Sequence, residues 1–181
     1  RERWTKGRAY YCFVGSLHPR KNIPGLLAAH AAYRRAGGTA DLAVVGAPMW
    51  GELPADWRAA EGVHWLGRLA TEELKGVVAA SEGLVYLPYF EGSGIPLVEA
   101  MAAGVPVVAA QTTSLPEVMG GAAAALVAPD DAESAAAALL RLDADPAWRE
   151  DRIAAGLERA RAFSWDASAA NLFTSIATVL P

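Results

Sequence analysis

Tyr89-Phe90-Glu91-Gly92-Ser93-Gly94-Ile95-Pro96-Leu97-Val98-Glu99-Ala100-Met101 lies between two apolar runs, Gly83–Leu87 and Val105–Ala109. Short apolar runs on either side of a helical pattern read as strand, loop, helix and strand, the repeating unit of a parallel sheet. Gly92 and Gly94 open backbone conformations closed to other residues and let a ligand approach the main chain. Ser93 or Gly94 is the expected N-cap, and Pro96 suits the first helical turn, where its missing N–H costs nothing. Main-chain N–H groups over Gly94–Leu97 then point outward at the positive end of a helix dipole, which suits a phosphate.

Neither Glu91 nor Glu99 is meant for that phosphate, because like charges repel. They make better sense as acceptors for neutral hydroxyls. Glu99 falls about one turn inside the helix, with its Cα–Cβ bond tilted back toward the N-terminus. It can accept from two vicinal hydroxyls such as those of a ribose. Glu91, still in the loop, faces the other side of the phosphates. A nucleotide diphosphate sugar offers both partners in that order.

Outward from this unit the alternation repeats. Ala9–Val14, Leu42–Val45, Val63–Leu66 and Gly83–Leu87 read as strands, as do Val105–Ala109 and Ala123–Val127. Ile23, Leu26, Leu27 and His30 fall at helical spacing, and the helix ends near Gly37-Gly38. Further helices are expected over Glu72–Ala80 after a Thr71 cap, Pro96–Ala103, Asp131–Leu142, Pro146–Ala162 and Trp165–Val179. The order predicts an α/β chain: a Rossmann-like, doubly wound parallel sheet of about six strands, closed by C-terminal helices. Ala122–Ala125 and Ala135–Ala138 read as close packing.

A chain of 181 residues with 53% hydrophobic and 20% charged residues fits one globular domain over 1–181. The net charge of −4 argues against a nucleic-acid partner. Cys12, the single cysteine, sits in an apolar run and reads as a buried, inert thiol, so no disulfide forms within the chain. RERWTKGR at the start is too polar for a signal peptide, and no apolar run approaches the ~20 residues that span a membrane. A cytoplasmic location follows as the expectation, and the abrupt ends suggest a piece of something longer.

Ligands of such sheets bind beyond the carboxyl ends of the strands. After the first strand comes Gly15-Ser16-Leu17-His18-Pro19-Arg20-Lys21-Asn22, where two adjacent cations can neutralise a diphosphate, Arg20 as a planar fork and Lys21 as a point charge. His18 lines the edge of that loop. His30 lies on an apolar helical stripe and His64 in a strand, so the three histidines assemble no metal site. Gly67-Arg68-Leu69 forms the third strand-to-helix turn. Thr112-Thr113-Ser114-Leu115-Pro116-Glu117-Val118 follows the fifth strand, with Glu117 at the start of a short helical turn. Asp143-Ala144-Asp145 spells an acidic tripeptide, but it joins two helices ahead of Pro146 and reads as a turn and a cap.

Glu-x7-Glu with an internal EGSG and a following EAMAAGVPVV resembles the donor-site signature of retaining, family-4-type glycosyltransferases of the GT-B fold. The usual loop is EGFG, so Ser93 departs at a position used mainly through its backbone. GSLHPRKN resembles the family's GSxxPRKN phosphate motif. Many relatives carry arginine directly after the glycine, where Ser16 stands here; Lys21 maps directly and Arg20 stands in. Gly67-Arg68-Leu69 resembles the FLG segment, whose backbone reads the edge of the nucleotide base, and Ser114–Val118 matches the SLPEV loop beside the diphosphate.

The resemblance implies one half of a GT-B enzyme: a donor domain that moves a hexose from a UDP- or GDP-sugar with retention, without metal or cofactor. The acceptor, a saccharide or lipid-linked saccharide, would sit on an N-terminal domain that this chain lacks. The final helix from Trp165 resembles the segment that returns toward that domain. Work at the inner face of a membrane is compatible with this expectation. Glu91, Lys21 and Arg20 are the residues implied at the reacting centre. Gly15, Ser16, Arg68, Leu69, Gly92, Ser93, Gly94, Ile95, Pro96, Leu97 and Glu99 are those implied around the nucleotide. A nucleotide-sugar epimerase of the same fold, or a non-catalytic nucleotide-binding scaffold, is the alternative.

Overall fold

The near-continuous apolar runs in the sequence become strands buried on both faces, as a covered parallel sheet requires. In a computed structural model describing residues 1–179 they are β1 (Tyr10–Val14), β2 (Asp41–Val45), β3 (Val63–Gly67), β4 (Gly83–Tyr86), β5 (Val107–Ala110) and β6 (Ala125–Val127). Their spatial order is β3-β2-β1-β4-β5-β6, with every pairing parallel. Tyr10, Tyr11, Cys12 and Phe13 of β1 are fully buried at the centre of the sheet. The half-buried residues of β3 mark an edge.

The helices are α1 (Glu2–Thr5), α2 (Ile23–Arg35), α3 (Ala55–Arg58), α4 (Thr71–Ala79), α5 (Ile95–Ala102), α6 (Leu115–Met119), α7 (Ala132–Ala144), α8 (Pro146–Ala160) and α9 (Trp165–Val179). Right-handed crossovers that run opposite ways from the centre place α2 and α5 on opposite faces. On one face α2 packs against α7, where Ala135, Ala136 and Ala138 are buried as the alanine runs suggested. There Tyr11 and Tyr33 meet edge to face at 5.5 Å. On the other face α5 packs against α8, and a Cβ on Gly156 would stand 3.3 Å from Met101 Cγ.

Two expectations shift, and two short helices are added. The fifth strand starts at Val107 rather than Val105, because Pro106 has no N–H to give the ladder. Thr71 is the first helical residue, and Ala70 precedes it without a side-chain cap. α1 and α3, four residues each, are too short for periodicity to reveal. α9 buries none of its residues, leaving Trp165 88% and Phe173 72% exposed.

The strand order reverses between β1 and β4. The loop after β1 and the loop after β4 therefore meet above the sheet at the switch point, where such folds take ligands.

Candidate functional site

The β1 loop is shaped by close approach of the backbone. Gly46, at φ 143°, stands where a Cβ would be 1.8 Å from the Gly15 carbonyl oxygen, so no other residue fits. Pro19–Lys21 form a single 3₁₀ turn, and the Arg20 N–H donates to His18 Nδ1 at 3.0 Å. That bond leaves the ring proton of neutral His18 on Nε2. His18 packs against Trp50 with ring centroids 5.3 Å apart. Asn22 takes a left-handed conformation at φ 53° and donates from Nδ2 to Leu87 O at 3.0 Å and Pro129 O at 2.9 Å. It ties the β1 loop to the end of β4.

Across the switch point Lys21 and Glu91 come together, 6% and 8% exposed. Lys21 Nζ donates to Glu91 Oε2 and to the Tyr86 hydroxyl, and that hydroxyl donates to the same Oε2 at 2.6 Å. Arg20 Nη1 stands 3.5 Å from Glu91 Oε2 and donates to Phe90 O at 3.1 Å. Glu91 Oε1 accepts from Gly92 N at 3.2 Å. Burial alone would raise the pKa of Glu91; hydrogen bonds from Lys21 and Tyr86 and the charges of Lys21 and Arg20 outweigh it and hold it at about 2. Tyr86 is fully buried, stacked on Phe13 at 5.6 Å, and burial beside Glu91 pushes its pKa up. The sequence assigns the two cations to a diphosphate; in the fold both lie against Glu91.

Gly94 is the N-cap of α5, at φ 65°. The expectation of free N–H groups over Gly94–Leu97 needs correction at two positions. Pro96 has none, and Leu97 N donates to Gly94 O at 2.9 Å. Among the described residues the N–H groups of Ser93, Gly94 and Ile95 have no partner, so the cradle sits slightly earlier than expected. Glu99 lies exposed one turn into α5, and its carboxylate has no hydrogen bond or ion pair among the described residues.

Gly15, Ser16, Arg68 and Leu69 line one cleft of about 330 Å³ with Val14, Val45, Gly46 and Ala47, above the ends of β1, β2 and β3. Four of the residues implied around the nucleotide are thus brought together, while Gly92–Leu97 and Glu99 do not line this cleft. A larger groove of about 710 Å³, between α2 and α3, is lined by Pro24, Leu27, Arg34 and Trp57 among others and contains none of them.

Sequence reasoning missed Tyr86, which reads as one more apolar strand residue. It also missed the hydroxyls of Thr112, Thr113 and Ser114, which bond the main chain of Tyr89 and Glu91. The sequence marks their loop after the fifth strand, but not the partners of these hydroxyls. Glu117 lies in the first turn of α6, whose carbonyls at Glu117 and Val118 accept from Arg159.

The acidic tripeptide splits into two structural roles. Asp145 caps α8 by accepting from Trp148 N at 3.0 Å, as expected. Asp143, still inside α7, accepts from the hydroxyls of Tyr11 at 2.6 Å and Tyr33 at 2.5 Å. Among the described residues no group of three His, Cys, Asp or Glu is placed to hold a metal ion. His30 is buried against Ala40 O at 3.2 Å, and His64 pairs with Asp41 at 2.8 Å. Cys12 is buried, which pushes its thiol up to about 12.

Comparison with known proteins agrees with this fold. The family model described as Glycosyl transferases group 1 matches residues 8–145. The chain is 38% identical over 167 residues to O-antigen chain mannosyltransferase B of Escherichia coli, covering 88% of this chain and 43% of that protein. It is 32% identical over 177 residues to D-inositol 3-phosphate glycosyltransferase of Frankia alni, covering 90% of this chain and 44% of the relative. The sucrose-phosphate synthase of Thermosynechococcus elongatus superposes with a TM-score of 0.78 at 27% identity, over 96% of this chain and 47% of that one. A glycosyltransferase involved in lipopolysaccharide biosynthesis shares the fold with a TM-score of 0.72 at 22% identity, over 88% of this chain and 45% of its own. The chain thus spans less than half the length of these relatives. With its GT-B-type sheet and the matched residues 8–145, it belongs to the group 1 glycosyl transferase family.

Proposed function

We propose that this chain is the donor-binding half of a retaining hexosyltransferase that works on a UDP- or GDP-sugar without a metal ion. The observation that carries the reading is one juxtaposition at the switch point. Lys21, Arg20 and Glu91 meet beside the free N–H groups of Ser93, Gly94 and Ile95, with unpaired Glu99 one turn further on. The ribose hydroxyls bind Glu99, and the base enters the cleft at Gly15, Ser16, Arg68 and Leu69. The diphosphate takes Lys21, Arg20 and the N–H groups, supported by the α5 dipole. Glu91 faces the sugar hydroxyls and positions the ring.

Breaking the anomeric C–O bond puts positive charge on the sugar and negative charge on the departing phosphate. Fixed donors at the phosphate stabilise that charge most where it is greatest, in the transition state. The departing phosphate accepts the proton of the incoming acceptor hydroxyl on the same face, which retains configuration and requires no enzymic base. The acceptor is a saccharide or lipid-linked saccharide held by a second domain. The setting is cytoplasmic, at or near the inner face of the membrane; among the described residues no helix is long and apolar enough to cross one.

Calorimetric titration with UDP and GDP, and then with their sugar adducts, tests the proposal. Saturable binding with a preference for one base is expected. Binding to neither nucleotide would leave the fold as a scaffold.

A further inference from the structure

Thr113 is a β-branched residue at φ 48°, in the left-handed region that favours glycine. Such a conformation is strained for threonine and persists only where surrounding contacts hold it. The contacts are specific. Thr113 Oγ1 accepts from Glu91 N at 3.0 Å and donates to Glu91 O at 2.8 Å. One hydroxyl thus engages both main-chain polar groups of Glu91, much as a neighbouring strand would. Ser114 Oγ adds a second bond to Glu91 O at 2.9 Å, and Thr112 Oγ1 donates to Tyr89 O at 3.0 Å. Glycine would take the same backbone angle without strain, so what threonine adds at this position is the hydroxyl.

We infer that Thr113 is a positioning residue for sugar recognition: its hydroxyl fixes the Glu91 backbone so that the carboxylate meets the sugar hydroxyls of the donor. The inference rests on the proposed role of Glu91 as the sugar-facing acid. Among the described hydrogen bonds, the Glu91 N–H and carbonyl are engaged only by hydroxyls of the β5–α6 loop, which therefore sets the place of its backbone. Loss of the hydroxyl frees the Glu91 backbone to shift, which degrades the fit to the sugar and spares the nucleoside end, held elsewhere by Glu99 and the base cleft.

The test compares the wild-type chain with Thr113→Gly and Thr113→Ser, titrated with GDP and GDP-mannose and with UDP and UDP-glucose. Glycine accepts the backbone angle, so the variant folds. In Thr113→Gly the dissociation constant for the nucleotide sugar should rise roughly five- to tenfold more than that for the nucleoside diphosphate, the scale of one net hydrogen bond. Thr113→Ser keeps the hydroxyl and should restore the wild-type ratio. An unchanged ratio in Thr113→Gly, or a Thr113→Ser variant as impaired as glycine, overturns the inference while leaving the proposed function standing. A wild-type chain that binds none of the four ligands overturns both.

Discussion

Lys21 and Glu91, seventy positions apart in the chain, form a buried ion pair across the switch point of the sheet, and the Tyr86 hydroxyl bonds to both. Glu91 is therefore the anion held by the cations assigned to a diphosphate. On the proposed function, donor binding would exchange one anion for another. Among the described residues Glu99 has no such partner, which separates the roles of the two acids.

Glu91→Gln removes the competing charge. Affinity for a nucleoside diphosphate should rise roughly tenfold, the worth of one unit charge at a partly wetted site. The gain should be smaller for the sugar adduct, which loses an acceptor for its hydroxyls. Calorimetry on both ligands checks this, and a fall in diphosphate affinity would show that Glu91 does not compete.

Acid stability should report the same pair. The folded pKa of Glu91 is held at about 2 against an ordinary 4.5. A depressed carboxylate contributes stability above its unfolded pKa and loses it as pH falls through the folded one. The contribution, about 3 kcal/mol at full strength, should disappear between about pH 4.5 and pH 2. Circular dichroism of acid unfolding should show that slope in the wild type and a shallower one in Glu91→Gln.

Glu99→Ala should leave the melting temperature nearly unchanged, because an exposed and unpaired side chain contributes within about ±0.5 kcal/mol. Nucleotide affinity should drop tenfold or more, as roughly 1.5–3 kcal/mol goes with hydrogen bonds to a charged group. Equal affinity in the variant would move the ribose elsewhere.

Asp143→Ala should destabilise the fold by about 1–3 kcal/mol by removing the acceptor of the Tyr33 phenol, while the Tyr11 phenol keeps Leu139 O at 2.9 Å. Nucleotide affinity should stay at the wild-type value, with or without added Mg²⁺ or Mn²⁺. Denaturant titration and calorimetry together check this, and a metal-dependent change in affinity that vanishes in the variant would restore a metal role to the tripeptide.

Most of the fold was legible because its signals are local. Apolar runs such as Tyr10–Phe13 and Val107–Ala110 can be buried on both faces only in a covered parallel sheet, and their alternation with helical patterns sets the topology. The Gly94 cap and Pro96 announced the start of α5 for equally local reasons. What escaped were short elements without a full period, α1 and α3, and a strand start displaced by Pro106.

The sequence by itself determined that two cations, two acids and a glycine-rich turn would gather above one end of the sheet, since the cations follow β1 and the acids and glycines follow β4. Only the tertiary structure decided who pairs with whom. The crossing at β1 and β4 brings Lys21 onto Glu91, places the Tyr86 phenol beneath them and sets Thr113 against the Glu91 backbone. Those contacts join residues far apart in the chain. Their energies depend on burial and direction, quantities that exist only once the sheet has closed over them.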